Sequence, residues 1–127
     1  MPPGADIPHL PSAAPIDAYG NGGFLFGGMS HRGSLLCLPD GIWAWPVDDI
    51  SALNERALTE VFARVGRLDI FLIGCGRDPC AIADNLRMQF RDRKVPVDAM
   101  ATGSAVRTYN ILLAEGRRVG AGLIAVA

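Results

Sequence analysis

Leu68-Asp69-Ile70-Phe71-Leu72-Ile73-Gly74-Cys75-Gly76 is the stretch on which the fold turns. Apart from Asp69 it is continuously apolar up to the first glycine, whereas a strand with one wet face would alternate. A near-continuous run is how a strand buried on both faces reads, and such strands sit inside parallel or mixed sheets with cover on both sides. Working outward toward the carboxyl end, Pro79 opens a predicted helix over 79–92. Ile82, Leu86 and Phe90 recur there at spacings of four, and Arg87, Arg91 and Arg93 take polar or terminal positions. Lys94 near its end complements the helix dipole. Val95–Met100 reads as a short strand, and Thr102–Gly116 as a third helix with Ala105, Tyr109, Leu112 and Gly116 on one face. Val119–Val126 closes the chain as an apolar strand.

Toward the amino end, Leu58, Val61, Phe62 and Val65 fall at i, i+3, i+4 and i+7. They predict a helix over about 52–65, with Ser51 or Asn54 as N-cap and Gly66 as the stop. Before Pro46 the pattern shortens to apolar runs divided by turn residues: Ile16–Tyr19, Phe24–Phe26, Met29–His31, Ser34–Leu38 and Ile42–Trp45, with Asp40-Gly41 placed for a tight turn. Residues 1–15 hold Pro2, Pro3, Pro8, Pro11 and Pro15, too many fixed φ angles and missing donors for a helix or interior strand, so they form an extended or mobile arm. The order of elements implies a single α/β domain over 16–127, with a mixed sheet covered on both faces and extra amino-terminal strands.

Composition agrees with one core. The chain has 127 residues, 50% apolar and 20% charged, with a net charge of -1, and no apolar run long enough to span a bilayer. Near-neutrality excludes a generally basic nucleic-acid binder. The average conceals an asymmetry, however: residues 1–63 sum to -5 and residues 64–127 to +4. An odd cysteine count (Cys37, Cys75, Cys80), in a chain large enough to need no bridges, favours a reducing compartment, and no basic-then-apolar leader opens the sequence. The expectation is a cytoplasmic protein that touches a membrane, if at all, through a partner. No His, Cys, Asp or Glu cluster has metal-ligand spacing, and no cofactor is expected.

Five residues form a candidate crevice or anion site at the carboxyl ends of two strands: Gly74, Cys75 and Gly76 before one helix, Thr102 at the start of another, and Arg107 one turn on. Each has a structural reading beside the functional one. The glycines serve a tight turn, Thr102 caps a helix, and Arg107 pairs with Glu115 or another carboxylate. Cys75 is either an activated thiol or a buried inert one. Tyr109 and Asn110 are helix residues whose polar ends require partners, most simply a neighbouring loop. Trp43 and Trp45 alternate on a strand and so share a face, as core or as a partner surface. No nucleophile stands beside a base.

Trp43, the run Ile70–Gly76, and above all Met100–Arg117 (MATGSAVRTYNILLAEGR) resemble a domain-of-unknown-function family that includes the mitochondrial respiratory complex I assembly factor 3. The resemblance implies a three-layer α/β fold with a mixed central sheet and additional amino-terminal strands. It implies a non-catalytic accessory protein that binds another protein, and no established reaction. The family motif falls on Gly74, Gly76, Met100, Thr102, Ala105, Arg107, Thr108, Tyr109, Asn110, Glu115 and Arg117. Two positions depart from the pattern: Ala101 stands where the family commonly has Asp, and Cys75 where it commonly has Thr. Loss of that carboxylate weakens acid–base chemistry more than protein binding. The competing class is an enzyme or sensor with a small anion in the crevice. Self-association is left open.

Overall fold

The structure, a computed structural model, describes residues 9–127. The proline-rich stretch 1–8 lies outside the described residues. Three short antiparallel strands, β1 (Ile16–Gly20), β2 (Gly23–Phe26) and β3 (Met29–Arg32), form one sheet. The central sheet has five strands: β4 (Leu35–Leu38), β5 (Gly41–Ala44), β6 (Ile70–Gly74), β7 (Val97–Met100) and β8 (Val119–Leu123), in the order β5-β4-β8-β6-β7. β6 runs parallel to both β7 and β8, and β4 runs antiparallel to β5 and β8, so the sheet is mixed.

Alternation of side chains distributes the core between two layers. Leu36 and Leu38 of β4 and Phe71 and Ile73 of β6 face Leu86 and Phe90 of helix α2 (Asp84–Asp92). On the opposite face Leu35, Cys37 and Leu72 meet Ala105, Val106 and Tyr109 of helix α3 (Thr102–Ala114), together with Ile16, Phe24 and Phe26 of the small sheet. β6 is therefore covered on both sides, as its unbroken apolar run requires. β8 adds a feature its sequence does not advertise: Gly120 and Gly122 point to the α2 layer. A Cβ at Gly122 would lie 2.5 Å from the Trp45 ring, and one at Gly120 would lie 3.0 Å from Phe71. The two glycines make the space those rings occupy.

Two helices are shorter than their periodicity predicts. The expected helix over 52–65 is broken into 3₁₀ turns at Ile50–Ala52, Arg56–Leu58 and Val65–Arg67, with only α1 (Thr59–Phe62) truly α-helical. Local side chains take the backbone groups a continuous helix would use. Asn54 Oδ1 accepts from Ala57 N–H at 2.9 Å, Thr59 Oγ1 donates to the Arg56 carbonyl, and the Trp45 indole N–H donates to the Ala57 carbonyl at 3.0 Å. Leu58 and Val61 are still buried, so the apolar stripe is real although the helix is not. The second helix begins at Asp84 and not at 79, because Cys80 is tied by a disulfide to Cys75 at the end of β6. Within the described part of the arm expected over 1–15, His9 and Leu10 pair with β5: His9 N–H donates to the Ile42 carbonyl at 2.7 Å and Ile42 N–H to the Leu10 carbonyl at 3.1 Å. Among the described residues no helix is long and apolar enough to cross a membrane.

Candidate functional site

The parallel register Gly74↔Met100 brings the two predicted loops together at the carboxyl ends of β6 and β7, as the crevice reading expected. The local bonding there is dense. Cys75 N–H donates to the Met100 carbonyl (2.8 Å) and Thr102 N–H to the Gly76 carbonyl (2.8 Å). Thr102 Oγ1 in turn accepts from Gly76 N–H (2.8 Å) and donates to the Ile124 carbonyl (2.7 Å), while Ile124 N–H returns to the Gly74 carbonyl (2.9 Å). Thr102 is fully buried, and its hydroxyl joins three chain segments; it does not cap its own helix. The N-cap position belongs to Ala101, which has no side chain with which to cap.

The glycines serve this closure. A Cβ at Gly74 would lie 3.0 Å from Thr102 Cα and 3.2 Å from Ala105 Cβ, so α3 can seat on β6 only if position 74 has no side chain and position 105 a small one. Gly76, at φ +106°, turns the chain in the left-handed region where an L side chain is strained.

The next turns of α3 carry the same theme outward. The Asn110 amide accepts from Ile16 N–H through Oδ1 and donates to the Ile16 carbonyl through Nδ2, both at 2.8 Å, so it completes β1 as a neighbouring strand would. Tyr109 is buried and donates its hydroxyl to the Ala14 carbonyl (3.1 Å); burial pushes its phenol well above the ordinary tyrosine value. Thr108 Oγ1 donates to Met100 Sδ at 3.8 Å, and Ala105 packs against β6. At the helix end Gly116 (φ +79°) donates to the Leu113 carbonyl and Arg117 N–H to the Leu112 carbonyl, a left-handed stop that explains Glu115-Gly116-Arg117 as a terminator. Ser34, absent from the sequence expectations, acts like Thr102: its buried hydroxyl donates to the Val47 carbonyl (2.7 Å) and accepts from Ala125 N–H (3.0 Å).

Other expected roles are corrected. Cys75 is neither an activated nor an inert free thiol, because its sulfur is bonded to that of Cys80, with the two Cα atoms 6.1 Å apart. The argument for a reducing compartment from unpaired cysteines loses its premise. Cys37 is the free cysteine, fully buried, its thiol pushed up to about 12 by burial and so inert. Arg107 is exposed and makes no ion pair or hydrogen bond among the described residues. Its expected partner Glu115 lies eight residues along α3, roughly 12 Å at helical rise, and approaches Arg117 instead, at 4.0 Å. Trp45 is not a partner surface: it is 4% exposed and packs on Gly122. Trp43 is half-buried, with the Arg64 guanidinium 5.0 Å above its ring; that guanidinium also bonds Asp40 at 2.7 Å and holds its carboxyl below the usual carboxylate range. Among the described residues no three His, Cys, Asp or Glu side chains are grouped to hold a metal.

The protein is 41% identical to an uncharacterised protein of Rhodobacter capsulatus over 92% of this chain and 89% of that one. It is 29% identical to NADH dehydrogenase (ubiquinone) 1 alpha subcomplex assembly factor 3 of Rattus norvegicus over 91% of this chain, but spans only 62% of that factor's length. A crystal structure from Bartonella henselae, described as an outer membrane protein, superposes with a TM-score of 0.90 at 42% identity, covering 94% of this chain and all of that one. The family model described as protein of unknown function (DUF498/DUF598) matches residues 16–124, from β1 through the tail that Thr102 holds, and the chain belongs to that family.

Proposed function

We propose that this protein is a non-catalytic accessory factor that binds another protein, in the manner of the complex I assembly factors it resembles. The observation that carries the reading is the bonding of Thr102, Tyr109 and Asn110. Their polar ends are all taken up by this chain's own backbone, at Gly76, Ile124, Ala14 and Ile16. A reactive crevice needs a group left free to meet a substrate. These side chains instead act as a latch that fixes α3, the small sheet and the carboxyl tail around β6. The same bonding argues against the anion-binding alternative, because Gly76 N–H, Cys75 N–H and Thr102 N–H already have acceptors within the chain. Arg107 and the half-buried Trp43 stay candidate contacts for a partner, and any association with a membrane runs through that partner.

Affinity capture of the tagged full chain from its own cells tests the reading. A discrete partner recovered in constant ratio is expected, with weaker recovery for Arg107→Ala at unchanged stability. Recovery of chaperones alone would overturn it. We place the protein in the cytoplasm, where disulfides are rarely kept. That compartment would open the Cys75–Cys80 bond of the structure, so thiol trapping in cells should find both thiols free, and a bonded pair would move the protein to an oxidising compartment.

A further inference from the structure

We propose that the outer edge of β7 is a docking site for an extended acidic segment of a partner protein, which adds to the sheet as a sixth strand. The inference rests on the protein-binding reading above and names the surface and the partner's chemistry. In the ladder with β6, Phe71 N–H bonds the Pro96 carbonyl at 2.9 Å and Cys75 N–H the Met100 carbonyl at 2.8 Å. Even-numbered residues of β7 thus face β6, and the N–H and C=O groups of Val97 and Ala99 point away from the sheet. β7 is the last strand of the order, and no described segment pairs with its outer side. The opposite edge, β5, is paired with His9 and Leu10.

Beside the open edge lies a groove of about 460 Å³ whose walls include Arg87, Arg91, Lys94, Phe90, Val95 and Val97. All three cations are exposed, none bonds a carboxylate or any other group among the described residues, and no acidic residue lines the groove. Arg87 and Arg91 stand at i and i+4 on α2, a like-charge pair that repels within the helix, and Lys94 follows just past its end. Lys94 also occupies the left-handed position (φ +61°) of the helix stop, with Lys94 N–H on the Arg91 carbonyl and Val95 N–H on the Phe90 carbonyl, a place that glycine fills at lower cost. The basic end of α2 suits the helix dipole, but the Arg87–Arg91 repulsion and the left-handed lysine have no compensating contact among the described residues, as is expected where the compensation is a partner.

The geometry also sets the partner's pattern. Val97 and Ala99 turn their side chains to the α2 layer, so every second residue of an added strand would face Arg87, Arg91 and Lys94. Acidic residues at i and i+2 match that face, with backbone bonds supplied by Val97 and Ala99. A second copy of this chain fits poorly, since β7 against β7 would bring the same three cations and Asp98 toward their own copies.

The test uses the full chain, ¹⁵N-labelled, titrated with the peptide acetyl-Thr-Glu-Thr-Glu-Thr-Glu-Thr-amide and with its Lys-for-Glu counterpart. The acidic peptide should shift amides along 87–99, slow exchange at Val97 and Ala99, and lose affinity about tenfold or more in the Arg87→Glu/Arg91→Glu double variant. Lys94→Gly should raise the melting temperature while weakening the same peptide. No perturbation up to about 5 mM, perturbation centred elsewhere, or equal binding of the lysine peptide would overturn the site. Capture with the double variant separates the two claims. A partner held equally by wild type and double variant overturns this surface and leaves the accessory role standing. No partner for the wild type, with the acidic peptide still bound at β7, overturns the role and supports the surface.

Discussion

The crest where β6, β7 and β8 end and the groove between β7 and α2 differ in what their polar groups do. At the crest, Thr102 is fully buried and every polar atom of its side chain is used, twice over, by the chain itself. In the groove, Arg87, Arg91 and Lys94 are exposed and, among the described residues, pair with no carboxylate. Of the family-like residues, Gly74, Gly76, Thr102, Tyr109 and Asn110 spend their chemistry on the fold, and Arg107 alone among those near the crest keeps an exposed charge. The groove owes nothing to that motif and has its chemistry free. The resemblance thus marks mainly what keeps this architecture together, and the proposed docking surface lies where the structure leaves donors and charges free.

The contrast can be broken first at the crest. Thr102→Val keeps the shape but leaves Gly76 N–H and the Ile124 carbonyl without a partner, and should cost about 3 kcal/mol, since each unsatisfied buried group costs about 1–3 kcal/mol. Urea unfolding measures it. Asn110→Ala removes the two bonds to Ile16 at a half-buried position and should cost about 2 kcal/mol, with the small sheet exchanging its amide hydrogens faster than the central one. Ala101→Asp runs the other way: an oxygen at the N-cap of α3 should add about 1 kcal/mol, readable as a higher urea midpoint.

Acid should act on the small sheet. Burial, then the neighbouring His9 with its ring 4.7 Å away, holds the His31 imidazole below its ordinary value of 6.5. The unfolded chain takes up a proton there at a pH where the folded chain does not. Stability present above about pH 6.5 is thus lost as pH falls through the folded value. His31→Gln should flatten that slope between pH 7.5 and 5. At the groove the effect on stability is the smallest: Arg87→Glu should leave the unfolding free energy from urea titration unchanged or raise it by less than about 0.5 kcal/mol, by removing a like-charge neighbour of Arg91.

Sequence reading succeeded where a signal was local. The unbroken run to Ile73 fixed β6 as a doubly covered strand, and the turn residues between Gly20 and Gly41 divided the five amino-terminal strands close to where they lie. It failed where the deciding contact is a particular side-chain bond that periodicity does not record. The periodicity of 52–65 records one buried stripe, but Trp45 and Asn54 take the backbone groups a helix would need. Cys75 and Cys80 show a spacing, and spacing alone does not state that their Cα atoms lie within bridging distance. Trp45 reads as core or surface until Gly122 is found beneath it, and Thr102 reads as a cap until Ile124 returns to meet it. Of the groove, the sequence shows only Arg87 and Arg91 at polar or terminal positions and Lys94 near the helix end; its open edge depends on strand order, which no local pattern encodes.

On the bonding of Thr102, the crest is a latch and not a ligand crevice. Thermal unfolding of the full chain against nucleotides, phosphates and small carboxylates tests it most directly, since a ligand at about 100 times its dissociation constant adds about 2.7 kcal/mol. A latch gives no stabilisation that depends on Arg107. A stabilisation that persists in the Arg87→Glu/Arg91→Glu double variant and vanishes in Arg107→Ala would contradict it.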